Sequence, residues 1–428
     1  MPQCLNAFKK TMRILFLTDN FPPETNAPAS RTFEHTSRWV QEGHEVTVIT
    51  GAPNFPQGRI YPGYRNTWYQ VEEMAGIRVV RVKTYITANE GFARRTLDYL
   101  SFMVTGFLGG LIQRRPDVII GTSPQFFTNC AAWMLSVFRW RPFVFELRDL
   151  WPASIVTVGA MRRSLAIRAL EKLELFLYRR TAAIVPVTHA FKDNLVGRGI
   201  EPAKIHVVIN GVDLSRYAPR PRDPDLAAVH ELQNKFVVGY IGTHGMAHAL
   251  HRVLEAAERL HDRPDIVFLF VGDGARRKAL VELAGQKQLA NVRLLPSQPK
   301  EWMPRIWSLC DLALIPLKNH PVFATVIPSK LFEAMGMGLP VLMALPEGEA
   351  TGIVRDTGAG VIVPPEDPAA LAETVVALAA DPERMRQLRA TAHAAASGFS
   401  RDRQAERMLA ILERVALEGE RRKAGSGR

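Results

Sequence analysis

The sequence predicts an α/β protein made of two doubly wound domains, and three observations support this fold class. At 428 residues the chain is too long for one ordinary core. Short β-rich runs alternate with helical stretches along both halves of the chain. Most of these runs are apolar throughout, which is typical of parallel strands that are buried on both faces.

The first half predicts one domain over residues 1–215. Helices are predicted between several of its strands, for example at Ala29–Glu42 and Leu165–Arg180. We interpret the turn Asn210–Asp213 and the proline-rich segment up to Pro224 as a hinge at the domain boundary. The predicted strands are Ile14–Thr18, Glu45–Thr50, Arg78–Lys83, Val118–Thr122, Phe143–Leu147, Ala183–Thr188 and His206–Asn210.

The second half repeats the pattern and predicts a domain over residues 225–398. A final helix follows within residues 399–418, with its helical spacing at Arg401–Val415, and we predict that it crosses back to the first domain. The basic tail Gly419–Arg428 is predicted to be disordered. The predicted strands are Phe236–Ile241, Ile266–Val271, Val292–Leu295, Leu312–Pro316, Val341–Leu345 and Gly360–Val363.

The net charge of +12 lies almost entirely in the first half. The first 200 residues contain 25 Lys and Arg against 15 Asp and Glu, whereas the rest contain 29 against 27. An anionic membrane surface, nucleic acid or a phosphate-bearing substrate would each suit such a field. We favour the membrane and predict no nucleic acid partner, because no basic-aromatic motif accompanies the charge.

Cysteine usage and the N-terminus predict a cytoplasmic protein. Cys4, Cys130 and Cys310 are scattered and odd in number, which argues against a disulfide framework or a zinc site. Met1–Met12 lacks the apolar core of a secretory signal, and Met12 is an alternative start of the chain.

The stretch Pro328–Pro340 is the most informative in the chain, because it predicts a short helix with a cation in its first turn. The positive charge of Lys330 is unfavourable there, beside the positive end of the helix dipole. A bound phosphate would be attracted by both charges and would make the position favourable. Glu333 follows on the same helix face, and a carboxylate can accept hydrogen bonds from sugar hydroxyls. Two interpretations stay open: a nucleotide clamp, or a solvated Lys–Glu pair.

Glycine turns follow two strands of the second half. Gly242, Thr243 and Gly245 lie between a strand and the helix Leu250–Leu260, where a glycine lets the backbone approach a phosphate. The spacing is not the dinucleotide fingerprint, so this signal is weak by itself. The turn Gly272–Gly274 is interpreted as structural.

Charged residues also follow strands of the first half, where α/β sheets bind ligands. Arg31 lies in the first turn of a helix and either contacts a phosphate or acceptor, or is solvated or paired. Arg148 and Asp149 end a buried strand. Either they form a structural pair, or Asp149 contacts sugar hydroxyls while Arg148 neutralises charge on a leaving group.

The stretch Leu97–Ile112 is strongly apolar and follows two arginines, Arg94 and Arg95. It is too short to span a bilayer, which needs about 20 apolar residues. It is therefore either a buried helix of the first domain or a helix with an apolar face on a membrane.

Several segments together resemble the GT-B glycosyltransferases, and specifically the retaining, nucleotide-sugar-dependent enzymes of family 4: His44–Val46, Asn210–Asp213, Gly272–Gly274 and Pro328–Pro340. The segment Glu146–Pro152 resembles the branch that contains fucosamine-type transferases of bacterial surface-polysaccharide synthesis. The resemblance implies two Rossmann-like domains facing each other across a cleft, with the nucleotide elements in the second.

The resemblance also implies roles for single residues. Glu333 matches the glutamate that binds the donor ribose. The family's other glutamate falls on Thr325 and its His-Asp pair falls on Arg148 and Asp149, so that acid and that histidine are absent here.

A basic residue of the family's first glycine loop has no match in Thr243–Leu250. The resemblance therefore assigns more of the phosphate contact to Lys330 and to backbone N–H groups around Ser329.

The activity implied is transfer of a hexosyl or N-acetylhexosaminyl group from a nucleoside-diphosphate sugar, most often UDP-linked, to a hydroxyl of a lipid-linked saccharide, with retention. No metal or other cofactor is expected, since no Asp-x-Asp or histidine cluster is present. The expected location is the inner face of the plasma membrane. The alternatives are a UDP-sugar 2-epimerase of the same architecture and a non-enzymatic basic membrane or nucleic-acid binder.

Overall fold

The computed structural model describes residues 11–24, 26–55, 58–87, 92–151 and 165–425. Predictions on Met1–Lys10, on Pro152 and on the last three residues lie outside these ranges. The chain forms two compact units, one of Met1–Ile209 with Asp402–Arg428 and one of Asn210–Arg401. The segment Asn210–Pro224, predicted as a linker, thus lies within the second unit.

The first unit is a seven-stranded sheet with helices on both faces. Its strand order is β3-β4-β2-β1-β5-β6-β7, and all neighbours are parallel except β3 and β4. The strands are β1 (Arg13–Leu17), β2 (Glu45–Thr50), β3 (Tyr69–Met74), β4 (Ile77–Val82), β5 (Val118–Thr122), β6 (Phe143–Leu147) and β7 (Ala183–Pro186). The described helices before the second unit are α1 (Ala27–Gln41), α2 (Phe92–Leu111), α3 (Phe126–Arg139), α4 (Leu165–Arg180) and α5 (His189–Gly197).

The second unit is a six-stranded parallel sheet in the order β10-β9-β8-β11-β12-β13. Its strands are β8 (Phe236–Ile241), β9 (Ile266–Val271), β10 (Val292–Leu295), β11 (Leu312–Pro316), β12 (Val341–Ala344) and β13 (Gly360–Val363). Its helices are α6 (Pro224–Val229), α7 (Leu250–Arg259), α8 (Arg277–Gln286), α9 (Met303–Trp307), α10 (Lys330–Gly336), α11 (Glu349–Thr357), α12 (Pro368–Ala379) and α13 (Pro382–Ala396).

The last helix, α14 (Arg401–Gly425), completes the core of the first unit. Its buried residues Met408, Leu412 and Val415 join a cluster with Trp39 of α1. The Trp39 Nε1–H donates to the Ala405 carbonyl at 2.9 Å. The helix runs ten residues beyond the predicted end at position 415, so the prediction of disorder from position 419 is wrong as far as position 425.

Two further differences concern strands. The missed strand β3 pairs with β4 across a turn of left-handed residues, Ala75 and Gly76, and its exposed residues alternate with half-buried ones at the sheet edge. The predicted strand His206–Asn210 is wrong, since these residues belong to no strand; the isolated bridge to Ile184 of β7 is made by Ile205, just before them. The carbonyls of Val208 and Ile209 turn instead toward the Arg31 guanidinium.

Each sheet reverses its strand order beside its first strand, between β1 and β5 in the first unit and between β8 and β11 in the second. Open α/β sheets bind ligands beyond the carboxyl ends of the strands at such points. No helix in the described part of the chain is long and apolar enough to cross a membrane.

Candidate functional site

The loop after β8 is held by a second glycine turn, which packs directly against it. The Gly242 N–H donates to the Val271 carbonyl at 2.9 Å, and the His244 N–H donates to the Asp273 carbonyl at 2.8 Å. A Cβ on Gly272 would lie 1.9 Å from the Gly242 oxygen, and the φ of Gly272 is +153°. Only glycine allows this approach, so the turn interpreted as structural fixes the course of the loop.

The ammonium group of Lys330 lies against this loop. Its Nζ is 3.8 Å from the ring centroid of Tyr240, and a Cβ added to Gly242 would lie 3.0 Å from the same Nζ. Among the described residues this buried Nζ has no hydrogen-bond partner. Burial lowers the pKa of Lys330 to about 7, although the charge of Glu333 opposes that shift. A buried cation without a partner is unfavourable, and a diphosphate would supply the missing acceptors.

Two histidines that the sequence reasoning missed lie in the same loop. The ring centroid of the buried His244 lies 5.9 Å from that of Tyr240 and 6.4 Å from that of Phe270. The ring centroid of His248 lies 5.7 Å from that of Tyr240. Burial, with nearby positive charges, lowers the pKa of His244 to about 4 and of His248 to about 3. Both are therefore neutral at pH 7. Their spacing of four residues within a glycine loop is the signal that could have found them.

In the part of the chain that the structure covers, no group of three or more His, Cys, Asp or Glu residues is placed to hold a metal ion.

Glu333 lies on α10, in the turn after Lys330. Its Oε2 accepts a hydrogen bond from the Trp307 Nε1–H at 3.3 Å. Burial raises the pKa of Glu333, and this hydrogen bond and neighbouring cations oppose the rise. A solvated Lys–Glu pair does not describe this arrangement, because the Lys330 Nζ is shielded from solvent.

The other predicted donor-binding residues are close in sequence to His244 or to Lys330. Thr243 is exposed, and its carbonyl accepts from the Tyr240 hydroxyl at 2.6 Å. Gly245 begins the turn that contains the second histidine, and Ser329 directly precedes α10. The Thr325 hydroxyl donates to a carbonyl of its own 3-10 turn at 2.8 Å. Contacts of Thr243, Gly245, Ser329 and Thr325 with a donor stay predictions.

Arg148 and Asp149 follow β6 in the first unit, and a serine after β5 holds their backbone. The Ser123 Oγ accepts from the backbone N–H of Arg148 at 2.7 Å and of Asp149 at 3.3 Å. The Arg148 guanidinium donates to the Pro28 carbonyl at 3.3 Å, at the start of α1. The pair thus follows the strand next to the switch point, and the Arg148 side chain reaches toward that point. Its catalytic role stays a prediction.

Arg31 occupies a structural position. Its side chain is 1% exposed and its Nε lies 2.9 Å from Oε1 of Glu146, which is equally buried. Its other nitrogens donate to the carbonyls of Ile209 and Val208 at 2.8 and 2.9 Å. Burial alone would raise the Glu146 pKa, but the charges of Arg31 and Arg148 lower it. Of the two interpretations of Arg31, the structure agrees with pairing, and a contact with phosphate or acceptor stays a prediction.

Solved structures with this fold define the class of the protein. Sucrose-phosphate synthase from Thermosynechococcus elongatus matches with a TM-score of 0.75 at 15% identity, over 94% of this chain and 99% of that chain. Anabaena Alr3699/HepE, solved in complex with UDP-glucose, matches with a TM-score of 0.67 at 18% identity, over 94% and 99% of the two chains. The predicted fold class is confirmed: two Rossmann-like domains of the GT-B type.

Sequence comparison gives the family. A model of glycosyl transferases group 1 matches residues 223–394, and a model of the glycosyl transferase 4-like domain matches residues 27–211. WcaI of Escherichia coli (strain K12), which is named for glycosyl transfer in colanic acid biosynthesis, is 26% identical over 371 residues, 84% of this chain and 90% of WcaI. Together the two models cover most of the chain, and these matches indicate a GT-B glycosyltransferase of family 4. They do not favour the 2-epimerase alternative.

Proposed function

We propose that the protein transfers a hexosyl or N-acetylhexosaminyl group from a UDP-sugar to a hydroxyl of a lipid-linked saccharide, with retention of configuration and without a metal ion, at the inner face of the plasma membrane. The observation that carries the donor assignment is the buried ammonium of Lys330, which lies against the glycine loop after β8 and has no hydrogen-bond partner among the described residues. The UDP-glucose complex of the similarly folded HepE supports UDP as the nucleotide. Within the polysaccharide-synthesis family, the finer assignment to a fucosamine-transferase-like branch is part of this proposal.

The chemistry requires charge stabilisation on the donor side. The bond between the anomeric carbon and the diphosphate oxygen breaks, a bond to the acceptor oxygen forms, and the proton of the acceptor hydroxyl passes to the departing diphosphate. Negative charge then gathers on the departing diphosphate, where one well-placed donor such as Lys330 contributes about 2.7–4 kcal/mol. The neutral His244 and His248 add N–H donors without repelling the ammonium. Glu333 accepts from the ribose hydroxyls.

Calorimetric titration with UDP-glucose, UDP-N-acetylglucosamine, GDP-mannose and ADP-glucose tests this assignment. The UDP-sugars are expected to bind most tightly, and Lys330→Ala should weaken them at least tenfold. Lys278→Ala is the matched control, because the Lys278 side chain is 91% exposed in the same unit. The absence of binding by all four donors would refute the proposed function, and an unchanged affinity in Lys330→Ala would refute the phosphate contact.

The membrane part of the proposal rests on α2. Phe102 faces the core, whereas Leu97, Val104 and Leu108 on this helix and Ile112 just after it are 50–67% exposed. Their spacing of seven, four and four residues places them along one side of a helix. One side of this helix is therefore packed in the first unit, and the other presents apolar side chains to solvent. Such an apolar face in the basic half of the chain suits an anionic lipid surface.

Flotation with vesicles that contain phosphatidylglycerol tests this surface. Burying one leucine side chain contributes about 1.5–3 kcal/mol, so Leu108→Glu should reduce the partition coefficient at least tenfold. Val229→Glu, which alters an apolar side chain 72% exposed in the second unit, should leave it unchanged. Equal flotation of both variants would rule out this helix as the lipid contact.

A further inference from the structure

Arg277 is the first residue of α8, a position where the helix disfavours a positive charge. The positive end of the helix dipole lies beside it. Arg276 directly precedes the helix and Lys278 follows in its first turn, so the neighbouring charges strengthen the conflict. Sequences tend to break such local rules at functional sites, where another contact compensates. The compensation here comes from the ends of two strands.

The guanidinium of Arg277 joins the carboxyl ends of β9 and β10. Its Nη1 donates to the Gly272 carbonyl, directly after β9, at 3.0 Å and to the Leu295 carbonyl, at the end of β10, at 2.8 Å. Its Nη2 donates to the Leu294 carbonyl at 3.4 Å. The ladder between the two strands ends at the pair Val271 and Leu295. The side chain thus fastens the strand ends at the point where the ladder stops.

The segment that Arg277 fastens supports the loop after β8. The His244 N–H donates to the Asp273 carbonyl at 2.8 Å, and the Arg276 N–H donates to the His244 carbonyl at 2.9 Å. A Cβ on Gly274 would lie 2.8 Å from that same carbonyl oxygen. His244 is therefore bound through both of its backbone polar groups to the segment between β9 and α8.

The charge of Arg277 also acts on the loop. Burial is the main cause that lowers the pKa of His244 to about 4, and the charge of Arg277 is the next, ahead of that of Lys330. A nearby cation disfavours the protonated imidazole. Removal of the guanidinium should therefore raise the pKa of His244.

Arg293 offers a comparison at the other end of β10. Its guanidinium also binds backbone carbonyls, those of Ala290 at 2.7 Å, His230 at 3.2 Å and Val292 at 3.2 Å. It pairs with Glu231 at 2.7 Å as well. These contacts lie at the amino end of the sheet, whereas the loop after β8 lies at the carboxyl end. The two arginines thus make similar contacts at opposite ends of one strand.

We propose that Arg277 is a positioning residue for donor binding, which fastens the ends of β9 and β10 and thereby sets the loop after β8 for the nucleotide-sugar. This assignment rests on the proposed function and deepens it, because it names a residue that acts on donor affinity through the loop. Backbone hydrogen bonds transmit the effect. A loop that is already held in its binding geometry loses less conformational freedom when the donor binds, so the affinity is higher.

Calorimetric titration with UDP-glucose, UDP-N-acetylglucosamine, GDP-mannose and ADP-glucose tests this role, with the variants given the donor that the wild type binds most tightly. Arg277→Met and Arg293→Met each lose a guanidinium that binds carbonyls of strand ends, so both should melt below the wild type. Only Arg277→Met should weaken donor binding at least fivefold. Arg277→Lys keeps the charge but not the planar fork, so its affinity should lie between those of the wild type and Arg277→Met.

The pKa of His244 is a readout that a purely structural role would not change. NMR titration of the histidine ring signals follows it, and the His244 signal is identified by its absence from His244→Gln. The pKa should rise above its wild-type value in Arg277→Met. It should remain close to that value in Arg277→Lys and Arg293→Met.

Three results would overturn the assignment. The first is a loss of donor affinity below fivefold in Arg277→Met or, if that variant does not fold, wild-type affinity in Arg277→Lys. The second is an equal loss in Arg293→Met, which would show that only the stability of the sheet matters. The third is an unchanged pKa of His244 in Arg277→Met. Failure of the wild type to bind any of the four donors removes the proposed function instead.

Discussion

The affinity for a UDP-sugar is expected to fall as pH rises above 7, and Lys330 is the reason. Burial lowers the pKa of this ammonium from its ordinary 10.5 to about 7 in the protein without ligand. A bound diphosphate favours the charged form and raises that pKa again. Above pH 7 the complex therefore holds more protons than the free protein, so binding weakens as pH increases.

The size of the effect follows from the pKa of Lys330. At pH 7 half of these groups are charged, and at pH 8 about one in eleven, so the binding constant should drop roughly fivefold over that unit. Below pH 6 the affinity should be constant, because Lys330 is then charged in both states. The diphosphate of a UDP-sugar, esterified at both ends, does not titrate in this range. His244 and His248 are neutral throughout it, because their pKa values are lowered to about 4 and 3.

Calorimetry at pH 6.5, 7.0, 7.5, 8.0 and 8.5 with UDP-glucose measures this slope. Repeating the titration at pH 8 in two buffers of different ionisation enthalpy should show uptake of nearly one proton. Lys330→Arg keeps a charge at every pH in this series, so its affinity should be flat. Any slope that remains in this variant belongs to another group. An affinity of the wild type that does not change between pH 7 and 8.5 would refute the argument.

Two other substitutions test the structural basis of the site. Arg31→Met removes the partner of a buried carboxylate and should lower the free energy of unfolding by about 3–5 kcal/mol. Arg38→Met, which removes a half-exposed ion pair, should lower it by less than about 1 kcal/mol. Urea denaturation compares the two variants, and equal midpoints would contradict the pairing. Gly272→Ala should cost about 1–3 kcal/mol and weaken donor binding, because its Cβ meets backbone oxygen at a left-handed φ. Gly285→Ala, a helical position with open space, should raise the melting temperature instead. A Gly272→Ala protein with wild-type melting and affinity would show that the turn does not set the loop.

Most of the fold was predictable, because parallel strands that are buried on both faces are apolar runs. Β-rich runs such as Val118–Thr122 and Ile266–Val271 have the same bounds in the structure. The edge strand β3 was missed since half its residues face solvent and two are glutamates. His206–Asn210 was mistaken for a strand because Val208 is apolar and buried in the core, but the carbonyls of Val208 and Ile209 accept from Arg31 instead of from a neighbouring strand.

The site could be predicted where the local structure disfavours the residue that is present. Lys330 in the first turn of a helix is such a conflict, and the structure places its ammonium against the predicted glycine loop. The role of Arg31 could not be predicted, because its partner Glu146 is 115 positions away and no motif links the two residues.

The discontinuity of the first unit has a consequence for biosynthesis. The second unit is one continuous stretch, Asn210–Arg401, and can acquire its structure while the chain is still leaving the ribosome. The first unit cannot complete its core at that stage, because Trp39 packs against residues of α14, which are translated after the second unit. The core formed by β1, β2 and α1 is thus completed only after the second unit has been translated, and its apolar surface stays uncovered until α14 follows.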